Sequence, residues 1–252
     1  MTGSNRDRSV TRRGVLRGGA AAAVAAPLAG AGIGVAMGAT QAAFAASNPT
    51  NGRVQVMNVV AHADDDLFFM NPDIYQTIRA GVPTVTVYIT ASEISGAGNT
   101  PAQKARSLQR GLQDAYARMA GVPDTNTNAQ EEWTSQAWTI GSRKVEKYWL
   151  ISRPEVQLVF MNLRDLKLGD VYDNGYTDQT VVPTGAAVGS YSYSKADVNS
   201  VLLAIFNSYQ PTVLRYQDPT PDARYYEDHT DHHAAARFAV DVAGQYSGPV
   251  IH

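Results

Sequence analysis

Two short runs concentrate side chains that can bind a cation or move a proton. The first is His62-Ala63-Asp64-Asp65-Asp66 and the second is Asp228-His229-Thr230-Asp231-His232-His233; together they take four of the five histidines. Adjacent carboxylates repel one another, and packing them is costly unless a positive charge sits among them. A divalent metal is the simplest such charge, and histidine with aspartate is a zinc-compatible pair. The chain has no cysteine, so disulfides and thiolate ligation are both excluded and any metal must be held by imidazole and carboxylate. His229 and His232 are three residues apart, which predicts that they share one helical face. His62, Asp65 and His232 would form a His-Asp-His set that leaves a fourth position open for water, as catalytic zinc sites do.

These runs need elements to carry them. Val54 to Ala61 reads as a parallel strand buried on both faces. Asp66 to Met70 leads into a helix at Pro72 to Ala80, closed by Gly81. Pro83 to Thr90 is a β-branched strand, and Pro101 to Ala120 a helix with Leu108, Leu112, Ala115, Tyr116 and Met119 in one apolar stripe. Strand–helix–strand–helix order predicts a parallel sheet whose ligands bind at the carboxyl ends of the strands, where His62 to Asp66 lies. Glu132 to Ile151 breaks the order and reads as a hairpin turning at Gly141-Ser142. Its three tryptophans either stack on sugar rings or, more simply, cover one face of the sheet. Val156 to Met161 is the third core strand. Asn162 to Tyr193 is expected to be a long structureless loop or lid over the same site. A helix over Lys195 to Tyr209, a fourth strand over Pro211 to Tyr216, a loop to Asp228 and a last helix over Asp231 to Gln245 follow. Val250-Ile251-His252 reads as the start of another strand, so a C-terminal truncation or a very short final strand is expected.

The two runs together resemble the hallmarks of the PIG-L/LmbE-like deacetylases: an Ala-His-Pro-Asp-Asp-(Asp/Glu) run after the first strand and a later His-x-(Asp/x)-His run. Members remove acetyl groups from N-acetylglucosamine units on lipids, thiol conjugates or antibiotics, using zinc. The resemblance implies an α/β fold: a three-layer, Rossmann-like (LmbE-like), mostly parallel sheet with helices on both faces, here with an inserted β-hairpin. It implies one Zn²⁺ per chain on His62, Asp65 and His232. It implies Asp64 as the general base, His229 as the residue that steadies the oxyanion or protonates the leaving amine, and Asp231 as the carboxylate that orients His229. The chemistry agrees, because an amide needs a hydroxide-like nucleophile and zinc lowers the pKa of water to ~7. Ala63 stands where the family has proline. The family arginine of the helix after the second strand corresponds to Arg106 or Arg110, and Asp165 is a candidate contact for a sugar hydroxyl. Asp66 is expected to support the turn, and His233 to be a packing or surface residue.

Residues 1–45 read as an export signal. Thr11-Arg12-Arg13-Gly14-Val15-Leu16-Arg17 resembles the twin-arginine consensus, an Ala/Gly-rich stretch follows, and Ala43-Phe44-Ala45 offers a cleavage site. That stretch is too poor in leucine and isoleucine to span a membrane well, so the mature form is expected to have no stable span. Residues 46–53 form a linker and 54–252 a single domain. Removing the five arginines and one aspartate of the signal leaves 16 basic and 22 acidic residues, a net charge of −6, which argues against a nucleic-acid partner. The expected partners are an N-acetylated sugar or glycoconjugate and the twin-arginine export machinery. Two other readings are a DHH-type phosphoesterase, suggested by Asp231-His232-His233 alone, and a secreted glycan-binding module with a structural metal.

Overall fold

The computed structural model describes residues 54–123, 132–220, 222, 224 and 228–252. The expected signal (1–45) and linker (46–53) lie outside them. Three strands form the middle of a mixed sheet: β1 (Val56–Val60), β2 (Thr84–Thr90) and β5 (Val156–Leu163), each buried along its whole length. Near-continuous apolar and β-branched runs of this kind suit strands covered on both faces. The order is β3-β4-β5-β2-β1-β8, with β8 at Val213–Tyr216. The β5–β2–β1–β8 pairings are parallel. The predicted hairpin is β3 (Trp133–Ile140) and β4 (Arg143–Leu150), added antiparallel to β5.

Successive side chains of a strand point to opposite faces, and the helices divide accordingly. Val60, Tyr88, Leu158 and Phe160 pack on one face with Ile74 and Ile78 of α2 (Asp73–Arg79) and Leu112 and Tyr116 of α3 (Pro101–Ala120). Val59, Val87 and Val159 pack on the other with Leu202 and Phe206 of α5 (Lys195–Tyr209) and Phe238 of α6 (Thr230–Ala243). This is the expected three-layer α/β arrangement. The caps are written in the sequence: the Thr100 side chain accepts from Gln103 N, Ser194 and Asp197 form a capping box, and Gly121 takes the left-handed φ of 71° that ends α3.

Three expectations change. Asp66 to Met70 is not a lead-in: Asp65–Phe69 forms its own short helix, α1, before α2. The stretch from Asn162 to Tyr193 is not structureless. It carries helix α4 (Leu168–Asp173) and a small antiparallel pair, β6 (Asp178–Gln179) with β7 (Ser192–Tyr193). Leu168 and Val171, three apart, are fully buried and hold α4 down, but one helical turn is too short to register as periodicity. The hairpin tryptophans do not share a face: Trp133 packs with the α2–α3 side and Trp138 with the α5–α6 side. Ile251 makes one parallel bridge to Val213 beside β8, and no described helix is long and apolar enough to cross a membrane.

Candidate active site

β1 delivers the first run to the carboxyl edge of the sheet, and three hydrogen bonds fold it there. His62 N donates to Asp65 Oδ2 (2.8 Å), Ala63 N to Ser92 Oγ (2.9 Å) and Thr90 Oγ1 to the Ala61 carbonyl (2.8 Å). Asp64 is left exposed at the head of α1, whereas Asp65 and Asp66 are buried. The second run arrives on the far side of β1, at the start of α6. His229 is not on the helix with His232, as its spacing suggested, but caps it, with Nδ1 accepting from Asp231 N at 3.1 Å. That bond puts the proton of a neutral His229 on Nε2.

The two runs meet. His232 Nε2 lies 3.1 Å from His62 Nδ1 and 3.1 Å from Asp65 Oδ1, and His62 Nδ1 lies 3.5 Å from Asp65 Oδ1. Asp165 Oδ1 is 3.1 Å from His62 Nε2, and Asp228 Oδ1 is 2.6 Å from His232 Nδ1. Asp231 is fully buried; its Oδ1 accepts from Gly169 N (3.1 Å), while Oδ2 has no hydrogen-bond partner and stands 3.7 Å from His62 Nε2. His229 is therefore oriented by the backbone amide of Asp231, and the Asp231 carboxylate faces His62 instead.

The electrostatics follow from this crowding. Burial opposes charge on His62, but the carboxylates of Asp165, Asp231 and Asp65 around it outweigh that and push the imidazole up to about 11. Burial also opposes the Asp65 carboxylate, yet His232 and His62 hold it well below its usual range. Asp64 is raised by burial and by the Asp65 charge beside it, and His229 is lowered by burial and by His62. Asp64, His229, Ser92, Leu108, Phe68 and Phe69 are among the residues lining a cavity of about 280 Å³ over the triangle of His62, Asp65 and His232. A second cavity of about 720 Å³ shares Phe69 and His232 with it and continues past Tyr216 and Asp228.

The expected substrate residues divide. Asp165 reaches the site, against His62. Arg106 and Arg110 line neither cavity. Arg106 is bound by Glu146 Oε1 (3.0 Å), Tyr148 Oη (2.6 Å), Gln109 Oε1 (2.7 Å) and the Thr184 carbonyl (2.7 Å), and Arg110 by Gln113 and Asp114. Leu108, about 200° round the helix from both arginines, is the α3 residue at the cavity. Two residues of the site had no role assigned from sequence. Asp228 lies four residues before His232, a spacing that could have suggested the pair. Glu93, whose carboxylate accepts from Asp165 N (3.1 and 3.3 Å), left no signal in the sequence.

The sequence model of the PIG-L family, described as GlcNAc-PI de-N-acetylase, matches residues 57–243, from β1 through α6. The chain belongs to the PIG-L family. No curated protein matches it by sequence. Among solved structures it is similar to the N,N'-diacetylchitobiose deacetylase from Pyrococcus horikoshii complexed with its inhibitor MPG. The identity is 16%, the TM-score 0.45, and the match covers 84% of this chain and 60% of that one.

A metal is expected of a PIG-L chain, and the residues present fit one. Four donors bonded at ~2.0–2.1 Å around a tetrahedral ion stand about 3.3–3.4 Å apart. The His62 Nδ1, Asp65 Oδ1 and His232 Nε2 separations of 3.1–3.5 Å are of that size. On the other side of the His62 ring, the buried Oδ2 of Asp231 stands 3.7 Å from Nε2 without a hydrogen-bond partner. His62 and Asp165, with His229 and Asp231, offer a second set of close donor atoms on the Nε2 side of the same ring.

Proposed function

We propose that this chain is an exported, zinc-dependent deacetylase that hydrolyses the N-acetyl group of an N-acetylglucosamine-type sugar or glycoconjugate. The observation that carries the reading is the donor triangle with Asp64 at its rim and His229 beside it, in a chain of this family. His62, Asp65 and His232 would hold the zinc, which when bound acts as a Lewis acid and lowers the pKa of water to ~7. Asp64, raised but exposed to the cavity, takes the proton of the attacking water. His229 presents Nε2–H to the carbonyl oxygen as negative charge develops on it; such donors are worth about 3–4 kcal/mol. The new C–O bond forms, the amide C–N bond breaks, acetate leaves, and the proton held by Asp64 is available to the departing amine. The 280 Å³ cavity suits one acetamido sugar, and the adjoining 720 Å³ cavity leaves room for what the sugar is attached to.

Acetate release from N-acetylglucosamine, its oligomers, peptidoglycan fragments and acetylated glycolipids, with and without a chelator, tests the activity. Release from at least one substrate, abolished by chelator and restored by Zn²⁺, is expected. Asp64→Asn is expected to lower kcat at least ~100-fold with zinc still bound. Activity indifferent to chelator sinks the metal assignment, and an active Asp64→Asn sinks the base. No acetate from any substrate leaves the glycan-binding module as the better account.

A further inference from the structure

Each imidazole of the triangle turns one nitrogen inward and one outward. His62 presents Nδ1 and His232 presents Nε2 to each other and to Asp65. Each outer nitrogen is met by a carboxylate, Asp165 at His62 Nε2 (3.1 Å) and Asp228 at His232 Nδ1 (2.6 Å). We propose that Asp165 and Asp228 are a pair of positioning residues, each fixing the tautomer and ring orientation of one histidine so that its inner nitrogen can bind a divalent cation.

The argument is one of donors and acceptors. An ionised carboxylate only accepts, so the nitrogen facing it must carry the proton, and the lone pair is left on the other nitrogen. A histidine held in this way is a better and better-aimed ligand. The 2.6 Å contact of Asp228 is short, as hydrogen bonds to an ionised carboxylate are. Both residues are themselves held. Asp165 N donates to Glu93, and Asp228 Oδ1 also accepts from His229 N at 2.8 Å, at the mouth of α6. They come from unrelated parts of the chain, the exit of β5 and the approach to α6, yet they stand in equivalent relations to the two rings. Asp165 has further neighbours, with His229 Nε2 at 3.9 Å and the Asp231 carboxylate sharing His62 Nε2. Asp228 has a weaker second arm, Oδ2 at 3.6 Å from His233 Nε2. The Asp228 variants are therefore the cleaner measurement. The proposal rests on the metal reading of the site.

The test is the zinc affinity of the purified chain, freed of metal and titrated with Zn²⁺ against a chromophoric chelator. Asp228→Ala is expected to weaken binding about 10–100-fold. Asp228→Asn and Asp165→Asn, which each keep an acceptor oxygen, should lose less but still bind more weakly than wild type. His233→Gln, which removes only the longer arm, should change affinity less than about twofold. The metal-free melting temperature of the Asp228 variants should stay within about 2 °C of wild type, which separates positioning from folding. If Asp165→Asn does not fold, the Asp228 series alone decides. Wild-type zinc affinity in Asp228→Ala overturns the role of Asp228, and in a folded Asp165→Asn that of Asp165. A wild-type chain that takes up no Zn²⁺ overturns the metal reading together with this proposal, whereas normal wild-type uptake with unaltered variants overturns the proposal alone.

Discussion

Asp64, Asp65 and Asp66 are identical side chains in three different settings. Asp64 is exposed at the rim of the cavity, Asp65 faces two imidazoles, and Asp66 turns away from both into the protein interior. Asp66 is the end of a one-way relay: Asn58 Nδ2 donates to Thr86 Oγ1 (2.9 Å), Thr86 to Tyr116 Oη (2.5 Å) and Tyr116 to Asp66 Oδ2 (2.6 Å), while Tyr88 adds a second phenol at 2.9 Å. Burial still pushes the Asp66 carboxyl up to about 6. The relay ties the start of α1 to β1, β2 and α3, and so braces the turn that presents its two neighbours. Tyr116→Phe leaves both Asp66 and Thr86 short of a partner in a dry interior and should cost about 1–3 kcal/mol. Urea unfolding measures this, and a change below about 0.5 kcal/mol would show that Tyr116 is no brace.

The helices and strands were largely legible because each repeats its signal. The stripe of α3 and the buried runs of β1, β2 and β5 span many residues, and their caps are local. α1 and α4 were missed because one turn contains no period. The hairpin was legible, but not what its side chains do. Lys147 on β4 lies near the ring faces of Tyr209, Trp138 and Trp149 at 5.0, 5.3 and 5.9 Å. Those faces attract a cation, and burial lowers the ammonium to about 8. An unfolded lysine titrates near 10.4, so between these values the unfolded chain binds the extra proton and stability rises with pH. Below pH 8 the cost of charging Lys147 is fully present, at most about 3 kcal/mol. Lys147→Met should therefore be more stable than wild type at pH 7, and the difference should shrink from pH 8 to 10. Melting temperatures across that range test it; parallel curves would show that Lys147 is not strained by its charge.

At the scale of the whole molecule, the proposed export depends on residues 1–45, outside the structure described. Twin-arginine export requires the arginine pair itself, so Arg12→Lys with Arg13→Lys should retain the precursor in the cytoplasm. Cell fractionation and immunoblotting read this out, and undiminished export would remove the assignment. The net charge of −6 over residues 46–252 disfavours polyanionic partners.

The sequence alone determined the two histidine–aspartate runs, the sheet that carries the first and the helix that carries the second. All of these follow from residue type and short-range period. It also determined that a metal here would be held by nitrogen and oxygen, because there is no cysteine. What only the tertiary structure decided is which atoms meet. His62 and His232 are 170 residues apart and become neighbours only because β8 pairs beside β1 and returns through α6. The same closure sends Arg106 to Glu146 rather than to the cavity, turns the Asp231 carboxylate toward His62, and brings Asp165 and Asp228 to the outer nitrogens of the two histidines. Spacing along a chain predicts neighbours on one element; contacts between elements depend on how the layers pack.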